Sequence, residues 1–179
     1  LQTPSTTRQV DPDKAEYDIV YPLSDGELRF HSASGTIVYG IGSGVLNIPE
    51  SIEGHAVTAI GYHAFSGTES VNARFEEIYL PDSITSIGAA AFYWNPSLKT
   101  IRFPAHLEVI PSSALYQCSS LSQIIWPESL KEIGEYAFNW GIDDAGSYDG
   151  AKNAFVEILA GIVTPLEGVL NFLLRGESL

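Results

Sequence analysis

Glu77-Ile78-Tyr79-Leu80-Pro81, Thr100-Ile101-Arg102-Phe103-Pro104 and Gln123-Ile124-Ile125-Trp126-Pro127 align without gaps, and their prolines recur every 23 residues. A second signature follows each at a fixed offset: Ile87-Gly88-Ala89-Ala90-Ala91-Phe92, Ile110-Pro111-Ser112-Ser113-Ala114-Leu115 and Ile133-Gly134-Glu135-Tyr136-Ala137-Phe138. An earlier copy, Leu46-Asn47-Ile48-Pro49 with Ile60-Gly61-Tyr62-His63-Ala64-Phe65, is stretched to 32 residues. Its extra residues fall around Glu53-Gly54-His55 and Thr68-Glu69-Ser70. A shared period with insertions confined to polar turns is the mark of a solenoid.

Each copy reads the same way physically. The short Ile-x-Leu-Pro run alternates apolar and outward positions and is a strand. Proline ends it, because it cannot donate to a sheet ladder. A second short run, such as Leu107 to Ile110, turns the chain back. Gly and Ala-Phe then form a tight turn that drops an aromatic ring into the core. One copy buries too few apolar side chains to offset the entropy of ordering it, so the copies must stack.

These residues resemble the BspA-like leucine-rich repeat. Leu130-Lys131-Glu132-Ile133-Gly134-Glu135-Tyr136-Ala137-Phe138 lies close to that pattern, as does Ile48-Pro49-Glu50-Ser51-Ile52 continuing to Ile60-Gly61. The resemblance spans residues 41–141. It implies a leucine-rich-repeat solenoid of about four coils, β-rich with short turns. It also implies a bacterial secreted or cell-surface protein that binds host or neighbouring-cell macromolecules. The third copy departs from the pattern at Pro111 and Leu115, which predicts a slightly altered turn there.

A solenoid needs its two ends covered. Residues 1–40 are read as a polar segment followed by a β-hairpin cap, Glu27 to Phe30 and Thr36 to Tyr39 around Ser32-Ala33-Ser34-Gly35. Residues 142–179 are read as a loop and two amphipathic helices. Phe155, Ile158, Leu159, Ile162 and Val163 recur at helical spacing, and Thr164-Pro165-Leu166-Glu167 opens a second helix carrying Leu166, Val169, Leu170, Leu173 and Leu174. Capping of the last coil is the favoured role of these helices, and weak homo-oligomerisation through them is the alternative. With Lys152 and Arg175 as their only basic residues, they are poorly suited to a membrane surface.

Charge excludes some function classes. The formal net charge is −13, with nine Lys and Arg in 179 residues, which disfavours nucleic acid and anionic lipid. No apolar run is long enough to span a bilayer as a helix. The chain begins Leu1-Gln2-Thr3-Pro4-Ser5 and contains no methionine, which reads like a trimmed export precursor or an expression product.

No residue constellation resembles an active site, and no cofactor or metal is implied. His31, His55, His63 and His106 form no metal-binding spacing and are read as surface histidines. The pairs Glu76-Glu77 and Asp143-Asp144 are read as solvated charges, since catalytic carboxylates must converge in a cleft. Asp143 to Asp149 resembles a calcium loop in composition but lacks the spacing. Cys118 aligns with Asn95 and is read as a buried structural thiol.

The candidate binding face follows from strand geometry. In each first strand the residue between two core positions points outward. Those residues are Asn47, Tyr79, Arg102 and Ile125, flanked by Val45, Glu77, Thr100 and Gln123. Tyr and Arg are common interface anchors. A second row, Tyr93, Trp94, Tyr116 and Trp140, is assigned chiefly to packing between coils. The expected function is non-enzymatic adhesion to, or recognition of, a protein or glycan through the strand face. The alternative is a structural spacer or oligomerisation module that presents other surface components. Replacing Tyr79 by Ala and Arg102 by Glu is expected to abolish binding and leave the fold intact.

Overall fold

The computed structural model describes residues 16–67 and 74–138. The chain enters through β1 (Ile19–Pro22), β2 (Glu27–His31) and β3 (Thr36–Ile41), an antiparallel meander. The β2–β3 hairpin is the one expected from sequence, with a bulge between Arg29 and Phe30. β1 was not expected. It pairs with β2 from Ile19 opposite Phe30 to Pro22 opposite Glu27. Leu28, Phe30 and Ile37 of this meander are buried in the same core as the coils.

The first coil runs through β4 (Ser43–Asn47), a small hairpin of β5 (Ser51–Ile52) and β6 (His55–Ala56), and β7 (Ala59–Ile60). The hairpin is the insertion around Glu53-Gly54. Both turn residues have positive φ, 50° and 83°, the twist that a two-residue hairpin requires. The second coil holds β8 (Arg74–Tyr79) and β9 (Ser86–Ile87), the third β10 (Thr100–Arg102) and β11 (Val109–Ile110), and the fourth β12 (Gln123–Ile125) and β13 (Glu132–Ile133).

Stacking aligns like residues. β4, β8, β10 and β12 form a four-stranded parallel sheet. Leu46, Ile78, Ile101 and Ile124 lie at matching register positions and are buried. Phe65, Phe92, Leu115 and Phe138 make another buried column, with Phe65 and Phe92 stacked 5.5 Å apart and 12° from parallel. The Ala-Phe turns also hydrogen-bond from coil to coil. The N–H groups of Phe65, Phe92 and Leu115 donate to the carbonyls of Ala91, Ala114 and Ala137 at 2.7, 2.9 and 2.8 Å.

The second strands form an interrupted column. β3, β7 and β9 pair in parallel, and β11 pairs with β13, but β9 and β11 share no ladder. Pro111 explains the break. The aligned Gly61, Gly88 and Gly134 each donate an N–H to the preceding strand of this column, β3, β7 and β11 respectively, at 2.8 Å, and proline has no N–H to give. The turn itself keeps its shape. Ser113 has φ 56°, against 52°, 53° and 55° at the aligned His63, Ala90 and Tyr136. The altered turn expected at the third copy is therefore an altered ladder.

Among the described residues there is no helix. The two C-terminal helices expected over 142–179, and the loop from Asp143 to Asp149, lie outside the described residues.

Candidate binding face

The four-stranded parallel sheet places the expected rows in register. Val45, Glu77, Thr100 and Gln123 are ladder partners, as are Asn47, Tyr79, Arg102 and Ile125. Neighbouring parallel strands lie about 4.8 Å apart, so each row spans roughly 15 Å. Val45 is 57% exposed and Ile125 40%, large values for aliphatic side chains. Asn47 and Gln123 are exposed, and Glu77, Tyr79 and Arg102 are half-buried. Thr100 departs from the expectation: only 8% of it is exposed, so it offers little surface.

Two members of the face are held by their own neighbours. The Tyr79 hydroxyl donates to Glu77 Oε2 at 2.6 Å, and this bond to a carboxylate raises the tyrosine pKa. Arg102 Nη1 donates to the Leu80 carbonyl at 2.7 Å, and Nη2 to Asp82 Oδ1 at 3.1 Å. Asp82 also accepts the Ala105 N–H at 3.2 Å, which with the nearby guanidinium holds its pKa below the usual range. Arg102 is thus an inter-coil latch. The expectation that Arg102→Glu leaves folding untouched is corrected, because it would set a carboxylate against Asp82 and strip a carbonyl of its donor.

The remaining candidates separate cleanly. Glu76 and Glu77 do not converge: Glu76 pairs with Lys99 at 2.6 Å, and Glu77 with Tyr79. His31 Nδ1 meets Ser34 Oγ at 2.8 Å, while His55 and His106 are exposed. His63 sits between the Tyr62 and Tyr93 rings, and its partial burial lowers its pKa. Among the described residues, no group of three or more His, Cys, Asp or Glu side chains is placed to hold a metal ion. Cys118 is fully buried, and burial pushes its thiol up to about 12.

In the turn row, Tyr93 and Tyr116 stack at 5.1 Å and 3° from parallel, which spends their faces on packing between coils. Trp94 is 37% exposed, and Trp140 lies outside the described residues. Sequence reasoning missed Asp82, the partner that immobilises Arg102. Its signal was present: an acid directly after the strand-ending Pro81, facing the next coil's arginine.

Comparison with known proteins gives a consistent picture. A family model described as "BspA type Leucine rich repeat region" matches residues 45–141, more than half of the chain. A search of curated proteins finds no match. Among solved structures, a leucine rich cell surface protein from Faecalibacterium prausnitzii superposes with TM-score 0.54 at 24% identity, over 70% of this chain and 35% of its own. A leucine-rich repeat protein from Bacteroides capillosus gives 0.53 at 26%, over 68% and 91%, and one from Bacteroides ovatus gives 0.51 at 30%, over 67% and 33%. The chain thus spans about a third of the length of the first and third of these. With the family region covering more than half of its length and its coils stacked on the 23-residue register, this chain belongs to the BspA-type leucine-rich repeat family.

Proposed function

We propose that the chain is a non-enzymatic binding module of a secreted or surface-attached bacterial protein, and that it recognises a macromolecule on a host or neighbouring cell through the face of its parallel sheet. One observation carries the reading. Asn47, Tyr79, Arg102 and Ile125 stand in one ladder row with Val45 in the row beside it, and the two aliphatic members, Val45 and Ile125, are at least 40% exposed. Exposed aliphatic side chains on the two edge strands, with the Tyr79 ring between them, give a partner laid across the sheet apolar and aromatic contacts. The Faecalibacterium relative is itself described as a cell surface protein, which suits the location.

The face is small beside a standard interface of about 800 Å² per partner, so a single contact is weak and multivalent display raises it. The test is surface plasmon resonance of the purified chain against extracellular-matrix proteins, with a glycan array beside it. The informative variant is Tyr79→Ala with Ile125→Ser, which leaves the Arg102 latch in place. Saturable binding that the variant loses, with an unchanged melting temperature, supports the reading. Binding that the variant retains moves the contact off the sheet. Silence across both panels favours a structural role presenting other surface components.

A further inference from the structure

The charges on and around this face do not cancel evenly. Arg102 is spent on Asp82 and the Leu80 carbonyl, and Lys99 is spent on Glu76. Glu77 is different. Its Oε2 accepts the Tyr79 hydroxyl, a neutral donor, and among the described residues no Lys, Arg or His pairs with it. Its ladder partners are Val45 and Thr100, neither of them charged. The face therefore holds one carboxylate with its charge uncompensated. The tyrosine fixes its position and the exposed Val45 lies alongside it.

We infer that Glu77 is the anchor for a basic side chain, and that the partner of this face is a protein segment presenting Lys or Arg next to an apolar residue. This rests on the sheet-face reading and adds the chemistry of the partner. A carboxylate pre-oriented by a tyrosine hydroxyl keeps an oxygen free for a guanidinium or ammonium, and charge-assisted bonds of this kind are the strong ones. Val45 supplies the apolar surface along which the stem of a long basic side chain lies. Arg74 at the start of β8 is the one cation of this sheet with no ion-pair partner among the described residues, while the overall charge of −13 favours a basic partner.

The probe is a displayed random peptide library panned on the immobilised full chain, and the variants are Glu77→Gln, Glu135→Gln and the Tyr79→Ala, Ile125→Ser pair. Glu77→Gln keeps an acceptor for Tyr79 and removes only charge. Glu135→Gln removes the same charge in the exposed turn after β13. The expected result is selection of peptides carrying Lys or Arg that bind Glu77→Gln at least about tenfold more weakly and bind Glu135→Gln unchanged. Peptides that lose binding with the Tyr79, Ile125 pair but bind Glu77→Gln as well as the parent overturn this inference and leave the sheet-face reading standing. Peptides indifferent to the pair overturn both. Selection without basic residues, failure to select any peptide, or capture of glycans alone also overturns it.

Discussion

Arg102 of the third coil reaches back to Asp82 of the second, with Nη2 3.1 Å from Oδ1, while Nη1 takes the Leu80 carbonyl at 2.7 Å. The ion pair is largely solvated and contributes little by itself. The carbonyl bond contributes more, because its acceptor belongs to the fully buried Leu80. Arg102→Ala is expected to lower stability by about 1–2 kcal/mol. Arg102→Glu is expected to lower it further. Urea unfolding of both variants checks the order, and equal midpoints would remove the latch from the account.

Asp18, Asp25 and Asp82 share a pH signature. Each has its pKa held below the ordinary value, by the Ser32 hydroxyl and N–H, the Ser43 hydroxyl, and the Ala105 N–H respectively. A carboxylate whose pKa is lower in the folded state stabilises the fold above its unfolded pKa of about 3.9, and that contribution fades as pH falls through the folded value. The net charge of −13 acts in the opposite direction, since partial protonation relieves repulsion. Stability is therefore expected to rise slightly from about pH 7 to 5 and to fall below about pH 4. In Asp25→Asn with Asp82→Asn the acid fall should flatten, as urea midpoints across that range would report.

The coil-to-coil register of the first strands was legible from Pro81, Pro104 and Pro127, because stacked strands must repeat the same inward and outward positions. The rows through Tyr79 and Glu77 followed from it. What escaped was set by neighbours in space. Arg102 looks free until the previous coil brings Asp82 beneath it. Thr100 sits at an outward position, yet its small side chain is covered between the longer Glu77 and Gln123. β1, with only Ile19, Val20 and Tyr21 before a proline, is too short to show a period.

Backbone proximity fixes the repeat glycines. A Cβ on Gly88 would lie 2.5 Å from the Tyr62 nitrogen, and one on Gly134 2.3 Å from the Ser112 nitrogen. Backbone cannot step aside as a flexible side chain can, so Gly88→Ala is expected to cost about 2–3 kcal/mol. At the third coil the converse holds. Pro111→Gly restores an N–H for the Ile87 carbonyl, worth about 0.5–1.5 kcal/mol, but frees the unfolded chain by about 0.4–1 kcal/mol. Net stability should move by less than about 1 kcal/mol. Hydrogen exchange is the sharper readout, with a newly protected amide at position 111 as the expected outcome.

Ser113 is held at φ 56°, a left-handed conformation that costs a non-glycine residue about 1–2 kcal/mol. Ser113→Gly removes that cost and adds back part of it through unfolded-state entropy. A gain of about 0.5–1 kcal/mol is expected, visible as a higher melting temperature. The side chain is half-buried and makes no hydrogen bond among the described residues, so little else is lost.

Asn95 and Cys118 occupy the same place in successive coils, and a substitution between them isolates what that place requires. Asn95 Nδ2 donates to the Phe65 carbonyl at 2.7 Å and to the Phe92 carbonyl at 2.8 Å, and Cys118 Sγ donates to the Phe92 carbonyl at 3.2 Å. Each reaches back to the aromatic turn of the coil before. Asn95→Leu would leave the Phe65 carbonyl without its side-chain donor in a buried site, at about 2–3 kcal/mol. The Phe92 carbonyl would keep its thiol. Asn95 Oδ1 is buried and has no hydrogen-bond partner among the described residues, so removing it returns part of that cost. Asn95→Cys repeats the geometry of the next coil and should be milder than Asn95→Leu by about 1 kcal/mol. The thiols then report the fold directly. With Cys118 pushed up to about 12, almost no thiolate exists near pH 8, and labelling should proceed only through unfolding. Thiol labelling of Asn95→Cys that runs faster than global unfolding would show that the cysteine does not pack at this position.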